Sequence, residues 1–301
     1  MALGGKLGRF LLQFDDSFRS CRGFANFSTY VEGQLSGLER KSVEPIADAA
    51  GMEPRTLQQF LSHGEWDEAR VRDTIQEIVK RKHSDGETIG IIDETSFPKK
   101  GTETACVQRQ YCGARGKVDN CLVSVHLAFA CGEFHTLLDS TPYISQSWAE
   151  DAEHAERRAK VMLPDDVHYR PMHMIALEQV DTARRNKVRL DWLGFDERYG
   201  SVPEFLHALE ERGQMYVGEM PRTATGWTRR PRVITSRDDA LEDTAGKRKF
   251  PRLAASAASP SSLEDLLAKG NALRSQDWVA YYVKDTHKGP EVWQVKESKF
   301  Y

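Results

Sequence analysis

The first part of the chain repeats apolar residues with the period of an α-helix. Five such residues recur at near-helical spacing and predict one buried face: Phe24, Phe27, Tyr30, Val31 and Leu35. We therefore expect residues 1–84 to form a helical module.

Residues 42–61 within this module predict two short helices joined at Gly51, with Pro54 in the first turn of the second helix. This is the outline of a helix-turn-helix, whose second helix can lie in the major groove of DNA. In that geometry three side chains would be exposed to DNA: Arg55, Gln58 and Gln59. A plain helical hairpin that packs on the next domain explains the pattern equally well.

From residue 86 the pattern changes to short apolar runs that are typical of strands. Residues 88–92 resemble a buried central strand, and Gly113 and Gly116 predict a turn between two later strands. The other predicted strands are 107–112, 122–130, 134–138, 190–195 and 215–219, and the predicted helices are 171–187 and 203–212. We expect Met174, Leu177 and Val180 on one face of the first of these helices. A series of strands followed by a helix, a strand, a helix and a strand is the order of an RNase-H-like α/β sheet.

The last part of the chain is less regular. Residues 277–284 and 291–296 predict two strands with a turn around residues 288–290. The expected fold is therefore α/β, an RNase-H-like mixed sheet with additions at both ends. The expected domains are a helical module (1–84), the sheet (85–220) and a C-terminal insertion subdomain (221–301).

The composition is that of an ordinary globular protein and not of a disordered or fibrous chain. Of the 301 residues, 40% are hydrophobic and 29% are charged. No apolar run approaches the roughly 18 residues that cross a bilayer, so we expect no membrane partner. The five cysteines include no close pair, which favours reduced thiols in the cytoplasm over a disulfide framework.

The charge is unevenly distributed, although the net charge is only −3. Residues 221–252 contain nine Lys or Arg against four Asp or Glu, a local balance of +5. Arg229 and Arg230 in this stretch are candidates for contact with DNA phosphates. A solvated loop is the alternative explanation.

Two aspartates follow predicted strands and could carry chemistry. Asp93 follows the strand at 88–92, and Asp196 follows the strand at 190–195. Sites assemble at the carboxyl ends of strands in open α/β sheets, and carboxylate oxygens suit Mg or Mn ions. Two such ions roughly 3.5–4 Å apart would promote phosphodiester chemistry. Alternatively, each aspartate simply ends its strand as a turn or cap residue.

The histidines show none of the spacings of a metal-binding motif. We expect polar or core positions for the following: His126, His135, His168 and His173.

Several motifs resemble those of the DDE superfamily endonucleases of bacterial insertion sequences. Residues 92–101, Ile-Asp-Glu-Thr-Ser-Phe-Pro-Lys-Lys-Gly, are similar to the first-aspartate motif, with Ser96 in place of the usual glycine. Residues 196–200, Asp-Glu-Arg-Tyr-Gly, are similar to the second-aspartate motif. Further similarities lie at 41–47, 109–113, 116–118 and 147–148. The resemblance covers about residues 25–220, with a weaker match around 285–296.

The resemblance implies that Asp93 and Asp196 are the first two catalytic acids and bind Mg or Mn, with two ions in an intact site. Their neighbours Glu94 and Glu197 are not expected to be ligands, because successive strand residues face opposite ways. Three basic residues near the first acid could pair with DNA phosphates: Lys99, Lys100 and Arg109. Exposed solubilising charge is the alternative for each.

The resemblance also implies a third acid, a glutamate in an Arg-Trp-x-Ile-Glu-like run. Residues 221–301 contain no such run, so we expect a chain truncated at its C-terminus. Glu264 and Asp265 lack the flanking residues and are expected to be surface acids.

The implied function is that of a transposase, which cuts and joins DNA at the ends of an insertion sequence. Its partners would be the terminal repeats and target DNA, bound by a homodimer on paired ends in the bacterial nucleoid. Two other hypotheses stay open. One is an inactive truncated remnant that at most binds DNA, and the other is a regulator that uses only the helix-turn-helix.

Overall fold

A computed structural model describes residues 2–161, 163–164, 167–235 and 251–298. The chain divides into two compact units. The first comprises Met1–Phe195 and Glu204–Val217, and the second comprises Asp196–Pro203 and Gly218–Tyr301. The three domains expected from the sequence follow a different division and stay a proposal.

The N-terminal part of the first unit is helical, as predicted. Ser20 and Asp67 begin two of its helices, because their side chains accept hydrogen bonds from the backbone N–H groups of Gly23 (3.1 Å) and Arg70 (2.9 Å). The α-helices are α1 (Ala2–Leu11), α2 (Cys21–Leu35), α3 (Val43–Ala49), α4 (Pro54–His63) and α5 (Glu68–Lys82), and a 3₁₀ helix spans Leu12–Ser17.

The predicted buried face of α2 is only partly correct. No residue of α2 is fully buried, and the side chain of Leu35 is 66% exposed. The helix approaches α3 at Gly33, where an added Cβ would lie 2.4 Å from Ile46 Cγ2. Leu35 is two residues further on, about 200° around the helix, and therefore points away from this contact.

A six-stranded mixed sheet forms the centre of the first unit and confirms the expected fold class. Its order is β2-β3-β1-β5-β6, and β4 also pairs with β3. β1 is antiparallel to β3 and parallel to β5. The strands are β1 (Thr88–Pro98), β2 (Gln108–Cys112), β3 (Lys117–Cys131), β4 (Phe134–Pro142), β5 (Trp192–Phe195) and β6 (Tyr216–Gly218). Gly116 begins the turn into β3 with a φ of 61°, as expected of a turn glycine.

The described residues between β4 and β6 form five α-helices, of which the last two follow β5. They are α6 (Gln146–Glu150), α7 (Ala155–Lys160), α8 (Met172–Arg185), α9 (Glu197–Gly200) and α10 (Pro203–Glu211). α8 packs on β3, and Gln179 in it donates a hydrogen bond from Nε2 to Val125 O (2.9 Å). Leu177 and Val180 are buried as predicted, but Met174 is exposed, so this part of the prediction is wrong. Met174 lies about 200° around the helix from the buried Ala176 and therefore on the side of α8 away from the sheet.

The prediction that residues 88–92 form a buried central strand is only partly correct, because β1 is central in the sheet but only one of its faces is buried. Ile92 is buried, whereas Ile89 and Ile91 are 40% and 42% exposed. Successive residues of a strand point to opposite faces, so β1 has one buried face and one open face. We call the side that carries Ile89, Ile91 and Asp93 the open face of the sheet.

The described residues of the second unit form α9, short strands, two further α-helices and a hairpin. Besides α9, its elements are β7 (Thr225–Gly226), β8 (Val233–Ile234), β9 (Arg252–Leu253), β10 (Ser261–Ser262), α11 (Leu263–Lys269), α12 (Asn271–Arg274), β11 (Val279–Thr286) and β12 (Gly289–Val295). β11 and β12 pair antiparallel and confirm the predicted strand pair near the end of the chain.

Within the described ranges, no helix is both long and apolar enough to cross a membrane. All five cysteines are free, in agreement with the expectation of reduced thiols.

Candidate functional site

The sequence had suggested that Asp93 follows the end of its strand. The structure places it inside β1 instead. The strand continues to Pro98 because β1 keeps its antiparallel pairing with β3 as far as the Pro98–Cys121 pair. The parallel pairing with β5 is shorter and ends at Ile92. Asp93 is therefore the first residue of β1 beyond the β5 ladder. Its side chain is exposed, and Oδ1 accepts a hydrogen bond from the N–H of Glu94 (2.8 Å).

Asp196 follows β5 directly, as predicted, and also has the capping role that was the alternative. It is the N-cap of α9, and its Oδ1 accepts a hydrogen bond from the backbone N–H of Arg198 (3.0 Å). The side chain is exposed. An exposed carboxylate with one oxygen in a single capping bond can still accept from another group or bind a cation.

The two strands that lead to these aspartates are in register. Ile92 of β1 is the Cα partner of Phe195 of β5, and this is the last pair of the parallel ladder. Asp93 is the next residue of β1, and Asp196 is the residue that directly follows β5. In the part of the chain that the structure describes, no group of three or more His, Cys, Asp or Glu side chains is placed to hold a metal ion.

His126 of β3 is the Cα partner of Asp93 and shares the open face of the sheet with it. Both of its ring nitrogens are inaccessible to solvent and have no hydrogen-bond partner among the described residues. Burial lowers the pKa of His126, and the negative charge of Asp93 opposes this shift only in part. The sequence predicted a polar or core position for this residue and did not indicate its pairing with Asp93. The register of β1 and β3 follows a long connection between them, so no spacing in the sequence predicts the pair.

The strand argument made for Glu94 and Glu197 applies only to Glu94, because Glu197 lies in a helix. Glu94 is half-buried on the face opposite to that of Asp93, and its Cα partner is Val125. Glu197 is the first residue of α9. The alternation along β1 therefore separates Asp93 from its acidic neighbour, as predicted.

Three predicted DNA contacts lie around one side chain that the sequence did not indicate, Asn120 of β3. Its Nδ2 donates to Lys99 O (2.9 Å) and Gly101 O (2.8 Å), and the Lys99 N–H donates to Asn120 O (2.9 Å). Arg109 of β2 is the Cα partner of Asn120. Lys99, Lys100 and Arg109 are all exposed, so this part of the first unit presents a cluster of cations.

The helix pair in the N-terminal part has the predicted turn at Gly51, whose φ is +66°. Leu57 of α4 is buried against Ile46 and Ala47 of α3. The opposite side of α4 carries three exposed side chains, Arg55, Gln58 and Gln59. Gln58 donates a hydrogen bond to Glu44 Oε1 (3.2 Å), and Gln59 shares a groove with two arginines that the sequence had not singled out, Arg19 and Arg22.

The basic stretch belongs to the second unit. Arg229 and Arg230 are exposed there. Trp227, which precedes them, donates a hydrogen bond from Nε1 to Ala258 O (2.6 Å) and so is held by a backbone contact. Residues 236–250, which carry much of the predicted charge, lie outside the described residues.

Comparison with known proteins gives two similarities. The family described as DDE superfamily endonuclease matches residues 13–290. The probable transposase for insertion sequence element IS701 of Microchaete diplosiphon is 36% identical over 123 residues. That segment covers 40% of this chain and 32% of the relative, so the matched part spans about a third of the relative's length.

Proposed function

The chain belongs to the DDE superfamily of endonucleases, and from this membership we propose that it is a transposase. Such an enzyme cuts DNA at the ends of an insertion sequence and joins the freed 3′-hydroxyl to target DNA. The similarity to a probable transposase supports the same activity over part of the chain.

The observation that carries the proposal is the register of β1 and β5. Their parallel ladder ends at the Ile92–Phe195 pair, and the next residue along the chain is an exposed aspartate in both cases, Asp93 within β1 and Asp196 directly after β5. Ligands of open α/β sheets bind beyond the carboxyl ends of the parallel strands. Asp93 and Asp196 are therefore the proposed catalytic acids.

The donors present fit the divalent metals that the family generally uses. Asp93 and Asp196 offer exposed carboxylates, and hard oxygen ligands of this kind suit Mg²⁺ or Mn²⁺. We propose that these two aspartates hold such ions, two in the complete site. When bound, the ions would activate the attacking hydroxyl and stabilise the leaving oxygen of the phosphodiester.

Exposed basic side chains support DNA as the partner. Lys99, Lys100 and Arg109 lie around Asn120 in the first unit, and Arg229 and Arg230 are exposed in the second. Cations of this kind neutralise phosphates and position the DNA without reading its sequence. The hydrogen bonds of Asn120 to the Lys99 and Gly101 carbonyls limit the freedom of the loop that follows β1 and so favour a constant position for these charges.

The proposed assignment of roles follows the three parts of the chain. Residues 1–84 would recognise the terminal repeats through Arg55, Gln58 and Gln59 on α4, which are exposed and of the types that read bases. Residues 85–220 would carry the reaction, and residues 221–301 would follow the DNA backbone. We propose that the protein acts as a homodimer on the paired ends of the insertion sequence, in the bacterial cytoplasm at the nucleoid.

The test is cleavage of a plasmid that carries the DNA flanking the gene. We expect strand cleavage that needs Mg²⁺ or Mn²⁺ and that Asp93→Asn and Asp196→Asn each reduce at least about a thousandfold, as the loss of a catalytic group does. Asp85→Asn, which changes an exposed acid in the loop before β1, is the matched control and should cleave like the wild type. Equal cleavage by the wild type and Asp93→Asn would contradict the proposal.

A further inference from the structure

His126 is a histidine whose environment the protein alone does not explain. Its two ring nitrogens are inaccessible to solvent and lack hydrogen-bond partners among the described residues. Buried polar groups of native proteins almost always have a partner, and an exception usually marks a bound water, an ion or a functional role. A neutral imidazole carries one donor and one acceptor, so both functions of the ring are unused here.

The neighbours of His126 form a polar patch on the open face of the sheet. Asp93 is its partner on β1, and Ser140 is its partner on β4. Thr95, two residues after Asp93 in β1, is paired with Ser124, two residues before His126 in β3. Exposed apolar side chains of β1 lie on the same face on either side of the patch: Ile89, Ile91 and Phe97.

The hydroxyl groups of this patch form no hydrogen bond with the imidazole of His126. The Oγ atoms of Ser124 and Ser140 lie 3.2 Å apart and bond to each other. The other side chain directly opposite His126 is the carboxylate of Asp93, whose Oδ1 accepts from the N–H of Glu94. The ring therefore lies beside an anionic carboxylate and makes no hydrogen bond with any described group.

We propose that His126 is a further metal-binding residue, which supplies an imidazole nitrogen to the divalent ion bound by Asp93. The inference rests on the proposed function, because that function places an ion at Asp93. It adds a nitrogen ligand to a site otherwise expected to be made of carboxylates.

The spacing of a strand pair suits this arrangement. Side chains directly opposite each other in an antiparallel pair have Cβ atoms about 4.5–5.5 Å apart. Ligand atoms that share one ion at bond lengths of about 2.0–2.2 Å lie at most about 4.4 Å apart. A carboxylate and an imidazole on paired residues can therefore both reach one ion, and waters or DNA phosphate oxygens can complete its coordination.

The nitrogen ligand has a consequence for the choice of metal. Imidazole suits transition metals, whereas Mg²⁺ prefers oxygen ligands and holds its waters tightly. We expect the site to bind Mn²⁺ more tightly than Mg²⁺ and expect that preference to depend on His126.

The test is pulsed electron paramagnetic resonance of the full chain loaded with Mn²⁺, without DNA. The wild type should show the ¹⁴N modulation of a directly bound imidazole. His126→Gln should lose the modulation and bind Mn²⁺ about 10- to 100-fold more weakly, with a smaller change for Mg²⁺. His135→Gln, which changes an exposed histidine of the neighbouring strand β4, should keep the modulation and the affinity.

The outcomes separate this inference from the proposed function. Mn²⁺ that binds in an Asp93-dependent way without ¹⁴N modulation in the wild type would overturn the role of His126 and leave the proposed function standing. Modulation that persists in His126→Gln would overturn it as well. Mn²⁺ binding that Asp93→Asn does not weaken would instead count against the proposed metal site itself. The wild-type spectrum needs no variant, so misfolding of His126→Gln cannot decide the result.

Discussion

Two glycines near the aspartates lie so close to neighbouring atoms that an added Cβ would overlap with them. A Cβ on Gly90 would lie 2.6 Å from Leu193 Cδ2, at the ladder between β1 and β5. A Cβ on Gly200, at the end of α9, would lie 1.8 Å from the carbonyl oxygen of Glu219. The first obstacle is the end of a side chain and the second is backbone, so Gly200 is the less replaceable of the two.

Gly200→Ala should therefore destabilise the protein by about 1–3 kcal/mol, because the backbone near Glu219 must move to admit the methyl group. Thermal unfolding followed by circular dichroism measures the effect. Gly37→Ala is the matched control, since a Cβ at Gly37 would meet nothing within 4 Å. Equal unfolding temperatures for the two variants would contradict the expectation.

Cysteine reactivity is a second property decided residue by residue. Burial raises the pKa of Cys106 to about 11, whereas Cys21 is exposed. At pH 8 a thiol of pKa 11 is about 0.1% thiolate, and the thiolate is the reactive form. We expect iodoacetamide to modify Cys21 rapidly and Cys106 slowly, as measured by peptide mass spectrometry. In denaturant the two cysteines should react at similar rates. Similar rates in the native protein would contradict the burial of Cys106.

Contacts between secondary-structure elements hold the sheet and its helices together, and one ion pair joins α8 to the end of α10. Arg212 donates from Nε to Asp181 Oδ1 (2.7 Å) and from a terminal nitrogen to Asp181 Oδ2 (2.7 Å). The same arginine donates to Ala208 O, and Arg184 donates to Arg212 O. The hydrogen bond and charge of Arg212 lower the pKa of Asp181.

Arg212→Gln should lower the free energy of unfolding at pH 7 by about 1 kcal/mol, a modest value because the pair is partly exposed and solvent screens it. A lowered folded-state pKa means that Asp181 stabilises the protein above its unfolded pKa of about 3.9. This contribution disappears as the pH falls through the folded pKa. Denaturant unfolding at several pH values should thus show the wild type and the variant converging below pH 4. Lys269→Gln breaks a fully exposed pair with Asp265 and should change stability little at any pH.

At the scale of the whole molecule, the charge that would attract DNA is local. The net charge is −3, so binding depends on clusters such as Lys99, Lys100 and Arg109 and not on the average. Each cation that contacts a phosphate contributes to the salt dependence of binding.

Replacing Lys99, Lys100 and Arg109 together by glutamine should reduce the slope of log K against log salt concentration by about 3, close to one per lost phosphate contact. Fluorescence anisotropy of labelled duplex DNA at several salt concentrations measures this slope. Lys269→Gln is the control, because Lys269 already pairs with Asp265 at 2.8 Å. An unchanged slope in the triple variant would show that these three residues contact no DNA phosphates and serve only as solubilising charges.

Much of the fold could be predicted from the chain because the signals are local. Helical spacing indicated the N-terminal module, and Gly51 and Gly116 mark turns where the structure has positive φ values. The errors concern faces. Ile89, Ile91 and Leu35 are exposed because packing partners, and not local spacing, decide which apolar residues are buried.

The amino-acid sequence by itself determined the fold class, the family motifs and the identity of the proposed acids Asp93 and Asp196. These depend on residue types and on strand and helix signals that lie within a few positions of each other. Only the tertiary structure decided that Asp93 lies within a longer β1, that His126 lies opposite it and that Asn120 holds the Lys99 loop. Such pairs depend on strand register between residues far apart in the chain, and register is set by the packing of the whole sheet.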